Sequence, residues 1–176
     1  FGLEAIRNNR LKIARIGELN DPFEFLGLNL NRNNRKKLRD WKKQMADNFG
    51  LICMSEDWRH PLLWGHYADK HRGLCLGFDV ADELYKKVEY RANRRSLKEI
   101  GHQDLDDLDE VAMKGLLYTK FDAWAYEAEY RLFCGLEDSD PVTDLYFLPF
   151  STNLKLAQVI VGERSSVTRN RLASVL

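Results

Sequence analysis

Apolar residues along this chain follow two rhythms, and the switches between them mark out the elements. Helical spacing over Leu3 to Asn9 predicts the end of a helix with Leu3, Ala5 and Ile6 on its inner side. Leu11 to Arg15 alternates like a strand with one wet face. Gly17 to Pro22 reads as a turn, because Pro22 steers Asp21 out of the helical region. Helical spacing returns over Arg32 to Asn48 through Leu38, Trp41 and Met45, with Asn48, Phe49 and Gly50 as its stop. The continuous apolar run Gly50 to Ser55 is that of a central strand. Pro61 suits the first turn of a short helix reaching about Asp69, and Leu74 to Asp79 reads as a second central strand. A flanking strand follows at Lys87 to Tyr90, then a helix with an acidic first turn over Asp104 to Tyr118. Strands are expected at Glu127 to Cys134, Leu145 to Pro149 and Leu154 to Val161, and a closing helix at Ser165 to Leu176. Strands and helices mix without strict alternation. The expected fold is therefore α+β, a single domain over residues 1–176 with a mixed, largely antiparallel sheet flanked by helices.

Composition narrows the classes of function. A chain of 176 residues, 44% apolar and 31% charged, can bury a real core unaided. Lys plus Arg equals Asp plus Glu at 27 each, so no global field favours nucleic acid or an anionic membrane. No apolar run approaches the ~20 residues that span a bilayer, and no signal peptide is visible. Cys53, Cys75 and Cys134 match no zinc ribbon or CxxC spacing and read as small core residues of a reducing cytoplasm. The chain opens at Phe1 without a methionine and reads as a fragment lacking an N-terminal segment.

Two segments place ionisable groups among large aromatics: Trp64 to Gly73 and Trp124 to Arg131. In the first, His66 and His71 stand over the ends of a core strand, with Trp64 and Tyr67 packing inward; a hydrogen-bonded boundary histidine is the plainer reading of His66. In the second, a period of two puts Glu127, Glu129 and Arg131 on one face, opposite an apolar face of Tyr130, Leu132 and Cys134. A solvated ion-paired face is one reading of that row. The other is a site in which one carboxylate stabilises a cationic transition state and its neighbour steers a nucleophile. Ser55, ending the central run, faces the same cleft in that reading, whereas Asn20 to Glu24 reads as an Asx-turn that fixes the chain. Helical spacing of a zincin is missing between His66 and His71, and no metal ligand set is assigned. No Gly-rich phosphate loop is present, since Gly65, Gly73 and Gly77 have the wrong spacing. Basic residues from Arg32 to Lys43 spread around their helix, and the acidic stretch Asp104 to Glu110 offsets them.

Four of these segments, Asn20 to Glu24, Leu63 to Asp69, Gly73 to Asp79 and Trp124 to Arg131, resemble a bacterial family catalogued as domain of unknown function 2971, over about Leu11 to Cys134. That family is associated with phage-defence and abortive-infection systems. The strand ending in Ser, the later Glu-x-Glu and the aromatic-rich cleft are also similar to ADP-ribosyltransferases. That similarity implies NAD as co-substrate, with Glu129 stabilising the oxocarbenium ion and Glu127 orienting the acceptor. It further implies catalytic support from His66, nicotinamide stacking on Tyr67 or Tyr126, and cofactor contacts from Ser55 and Arg131. The first strand on which those enzymes carry an NAD-gripping His or Arg is absent here or lies before Phe1. The expectation is thus a cytoplasmic enzyme acting on a nucleotide-type small molecule, with a nucleic-acid or protein acceptor, no membrane partner and an open oligomeric state. Two alternatives stand beside it. One is a nuclease-like effector using His66, Asp69 and Glu129 in metal or acid–base roles; the other is a non-catalytic module binding a ligand or partner in the same cleft.

Overall fold

The computed structural model describes residues 1–21 and 23–176, so the expected turn at Pro22 lies outside the described residues. In chain order the elements are α1 (Gly2–Arg7), β1 (Arg10–Arg15), α2 (Arg32–Asn48), β2 (Phe49–Ser55), α3 (Pro61–Tyr67), β3 (Leu74–Val80), β4 (Lys86–Lys87), β5 (Glu89–Arg91), α4 (Glu110–Leu117), β6 (Thr119–Phe121), β7 (Glu129–Gly135), β8 (Tyr146–Pro149), β9 (Leu154–Val161) and α5 (Arg169–Ala173). Five strands form one sheet in the order β4-β7-β2-β1-β8, antiparallel at every pairing. β3 and β9 make a separate antiparallel ribbon, and β5 and β6 a short parallel pair. The fold is α+β with a mostly antiparallel sheet.

Local chemistry sets most element ends. Asn31 caps α2 by accepting from the Asn34 amide at 2.9 Å, and Pro61 occupies the first turn of α3, where no amide donor is needed. Asp109 caps α4 through the Ala112 amide at 2.7 Å. That cap splits the helix expected over Asp104 to Tyr118 into a 3-10 turn at Leu105–Asp107 and α4 proper. The closing helix likewise shortens to α5. Lys87 to Tyr90 is not one strand: buried Val88 separates β4 from β5, and its amide bonds the Glu129 carbonyl at 2.9 Å.

Apolar packing lies on both faces of the five-stranded sheet. Ile13, Ile52 and Tyr85 gather with Leu132 and Cys134 on one face, and Leu51, Phe25 and Leu117 gather with Phe133 on the other. A third cluster of Leu28, Leu30, Leu38, Leu97 and Leu116 lies beneath α2 and α4. β1 crosses β2 so closely that a Cβ on Gly50 would sit 2.4 Å from the Ile13 side chain, which is why a residue without one stands there. β3 is not a second central strand of this sheet. Its apolar face reports coverage from above, not which strand fills its hydrogen-bonding edges, and the only described partner is β9. Among the described residues, no helix is long and apolar enough to cross a membrane.

Candidate functional site

A cleft of ≈ 850 Å³ separates the five-stranded sheet from the β3–β9 ribbon, with α3 across one end. Its walls come from β1, β2 and β7 on one side and from β3 and β9 on the other. Antiparallel register decides what faces in: Cys53 is opposite Arg131 and Ser55 opposite Glu129, so all four project from one face of the sheet.

The charged end of the cleft begins with a kink. Glu127 is not the start of a strand but the last residue of a 3-10 turn, Asp122–Glu127, and Ala128 then takes a left-handed conformation at φ 43°. For an alanine that conformation costs about 1 kcal/mol. The kink breaks the period of two, and both carboxylates still converge, because Lys120 of β6 stands between them. Its Nζ donates to Glu127 Oε2 and, at 2.9 Å, to Glu129 Oε2. Arg131 donates from Nε to Glu129 Oε1 at 2.7 Å, from Nη2 to Glu129 Oε2 at 3.0 Å, and from Nη1 to the Leu117 carbonyl at 2.8 Å. Its Nη1 also lies 2.8 Å from Glu24 Oε1, off the direction of a hydrogen bond. Tyr67 donates its hydroxyl to Glu127 Oε1, and the Glu129 amide donates to Tyr90 Oη at 2.9 Å.

Three carboxylates thus share two cations, and none of the five side chains is more than 8% exposed. Burial pushes the Glu129 carboxyl upward, but the hydrogen bond and charge of Arg131, with Lys120 behind them, bring it down to about 2. Burial opposes the charge on Lys120 as well, and Glu129 and Glu127 outweigh it, so the ammonium is held well above its ordinary range. At Glu24 burial wins over Arg131 and the carboxyl is raised. Such a cluster keeps Glu129 ionised at neutral pH and leaves one carboxylate in excess.

The remaining expected residues fall into three groups. His66, Tyr67, Glu127, Glu129, Ser55 and Arg131 all line the cleft. Tyr126 does not line it; the ring stacks on His60 at 5.1 Å and lies 6.3 Å from His66, which also approaches Trp124 at 6.4 Å. These rings form an aromatic platform beside the charges, with Lys120 Nζ 5.1 Å from the Trp124 centroid. Ser55 Oγ is held in its own turn by the Asp57 carbonyl and amide, at 3.0 and 3.2 Å, and not by a carboxylate. His71 and Asp69 stay outside the cleft: His71 stacks on Trp64 and Asp69 pairs with Arg72 at 2.8 Å. Both lie in a run of three left-handed residues, Asp69 to His71, that turns α3 into β3. Tyr67 reverses the expected inward packing and stands exposed to the cleft, whereas Trp64 is buried.

Sequence reasoning missed Glu24, Lys120, Tyr90 and Cys53. For Glu24 a signal existed in the Asn20 to Glu24 segment: the Phe23 amide donates to Asp21 Oδ1 at 2.9 Å, and Glu24, next along the chain, is turned into the cluster. Lys120 lies on a three-residue strand too short to read. Cys53 is exposed to the interior of the cleft rather than packed in the core; enclosing protein first, and the Glu129 carboxylate second, push its thiol well above the usual range. Among the described residues no group of three His, Cys, Asp or Glu side chains is arranged to hold a metal ion.

This core of the site coincides with a known sequence family. Residues 63–132 match the family described as Protein of unknown function (DUF2971). The match spans α3 to β7 and so includes His66, Tyr67, Lys120, Glu127, Glu129 and Arg131, while Glu24 and β2 lie outside it. The family is the one whose motifs the sequence resembles. No curated protein and no solved structure matches the chain.

Proposed function

We propose that the cleft binds a nucleotide-type substrate, NAD in its most concrete form, and breaks its glycosidic bond for ADP-ribosyl transfer or hydrolysis. The observation that carries this reading is the convergence of Glu127 and Glu129 on one aromatic-walled cavity of ≈ 850 Å³, within the range of small-molecule sites. Held ionised by Arg131 and Lys120, Glu129 stabilises the positive charge that grows on the ribosyl carbon as its bond to the nicotinamide nitrogen breaks. The bonding electron pair leaves with the ring, which departs neutral. Glu127, fixed by Tyr67 and Lys120, orients the incoming hydroxyl or water and receives its proton. Arg131 is engaged by Glu129, Glu24 and the Leu117 carbonyl, so its part is to position and charge Glu129 rather than to grip the cofactor. Lys12 of β1 lines the cleft and, among the described residues, pairs with exposed Glu18 alone at 2.7 Å, which makes it a cation able to turn to a phosphate.

Saturation of both Glu129 oxygens by Lys120 and Arg131 favours a second reading, a binding pocket without chemistry. Incubating the chain with NAD and following nicotinamide release by chromatography decides between them. The proposal expects release that falls at least 100-fold in Glu129→Gln. NAD binding without release supports the binding pocket; neither binding nor release overturns both.

A further inference from the structure

A second cavity of ≈ 300 Å³ shares Lys120 with the cleft but has a different chemistry. It is bounded by Phe23, Leu26 and Gly27, by Arg91 to Arg94 and by β6, and among the described residues no carboxylate lines it. Its walls are tied by backbone. Arg91 pairs in register with Phe121, the Arg95 amide donates to the Gly27 carbonyl at 3.0 Å, and the Asn29 amide donates to the Arg95 carbonyl at 2.7 Å. Such bracing preforms the cavity and lowers the cost of ordering it around a ligand.

Its rim holds groups that the fold does not use. Phe23 and Phe121 are 61% and 52% exposed, one on each wall. The Arg94 guanidinium lies 5.7 Å from the Phe23 centroid and has no carboxylate partner among the described residues. Arg91 reaches Glu89 through Nη2 and also lines the cavity. Aromatic faces flanked by guanidinium groups are the combination that stacks a base and holds its phosphate.

We propose that this cavity is a nucleotide-binding site, with the base against Phe23 and Phe121 and the phosphate on Arg91 and Arg94. Its volume suits one nucleotide rather than two. The site stands independently of the reading of the larger cleft.

Calorimetry with 5′-AMP, and fluorescence anisotropy with a short labelled single-stranded oligodeoxynucleotide, test this on the full chain. Saturable binding is expected, weakened about tenfold by Arg94→Ala and by Phe23→Ala and partly restored in Arg94→Lys. Both side chains are exposed, so thermal midpoints should match the wild type. AMP binding of equal strength assigns a free mononucleotide; tighter, salt-dependent binding of the oligonucleotide assigns one residue of a strand. The proposal is overturned if neither probe binds, or if inorganic phosphate or phosphotyrosine competes as well as AMP. It is equally overturned if affinity is lost in Glu127→Gln but not in Arg94→Ala, which moves the ligand to the cleft. Nicotinamide release should be unchanged in Arg94→Ala, so either reading can fail without the other.

Discussion

Two lysines in this molecule make the same bonds in opposite surroundings. Lys37, on the outer face of α2, bridges Asp104 at 3.2 Å and Asp106; Lys120, at the end of the cleft, bridges Glu129 at 2.9 Å and Glu127. Their partners differ in burial: Asp104 and Asp106 are 47% and 71% exposed, Glu129 and Glu127 5% and 6%. Water solvates the first trio whether or not it pairs, so the contact mainly offsets the basic run of α2. In the second trio, solvation has been replaced by protein donors, and each charge depends on the others. Similar pairings therefore carry unequal consequences. A buried, interdependent cluster also keeps a fixed field, which a substrate of developing charge can use.

The strongest way to break this contrast is Lys120→Ala. It leaves buried Glu127 without its cation and Glu129 with Arg131 alone, and should cost about 3–5 kcal/mol in urea unfolding; a loss no larger than that of a surface pair would show the cluster to be solvated. A finer test uses acid. Glu129 lies at about 2 when folded against an ordinary 4.5, so its stabilisation is complete above pH 4.5 and drains away as pH falls from there toward 2. Glu24 is raised and acts in the opposite sense, its ionisation weakening the fold as pH climbs through the carboxylate range. Unfolding free energies measured across that window should fall steeply in the wild type and less steeply in Glu129→Gln; parallel slopes would contradict the assignment. The smallest effect belongs to Lys37→Ala, whose thermal midpoint should be indistinguishable from wild type at physiological salt, where exposed charges are screened.

Legibility followed the same division. Periodicity located α2 and β9 to the residue, because an amphipathic helix and a long alternating strand declare themselves locally. β6 went unread, since three residues carry no period, and with it went Lys120. Burial of the charged row on β7 was misread in part. Tyr130 and Leu132 do face an apolar cluster, yet Glu129 and Arg131 on the other side are more deeply enclosed than either. Hydropathy ranks side chains by their cost in isolation, and a partner within hydrogen-bonding reach removes that cost.

Local order in the chain is enough to specify an α+β fold, the caps of its helices and the two segments that supply the cleft, since these depend on neighbours a few residues apart. The meeting of Glu24, Lys120, Glu127, Glu129 and Arg131 does not depend on such neighbours. It requires the hydrogen bond from Phe23 to Asp21, a three-residue strand, a left-handed alanine and the β2–β7 register to coincide in space. Electrostatic energy at that point is a property of distances across the fold, and those exist once the chain has closed.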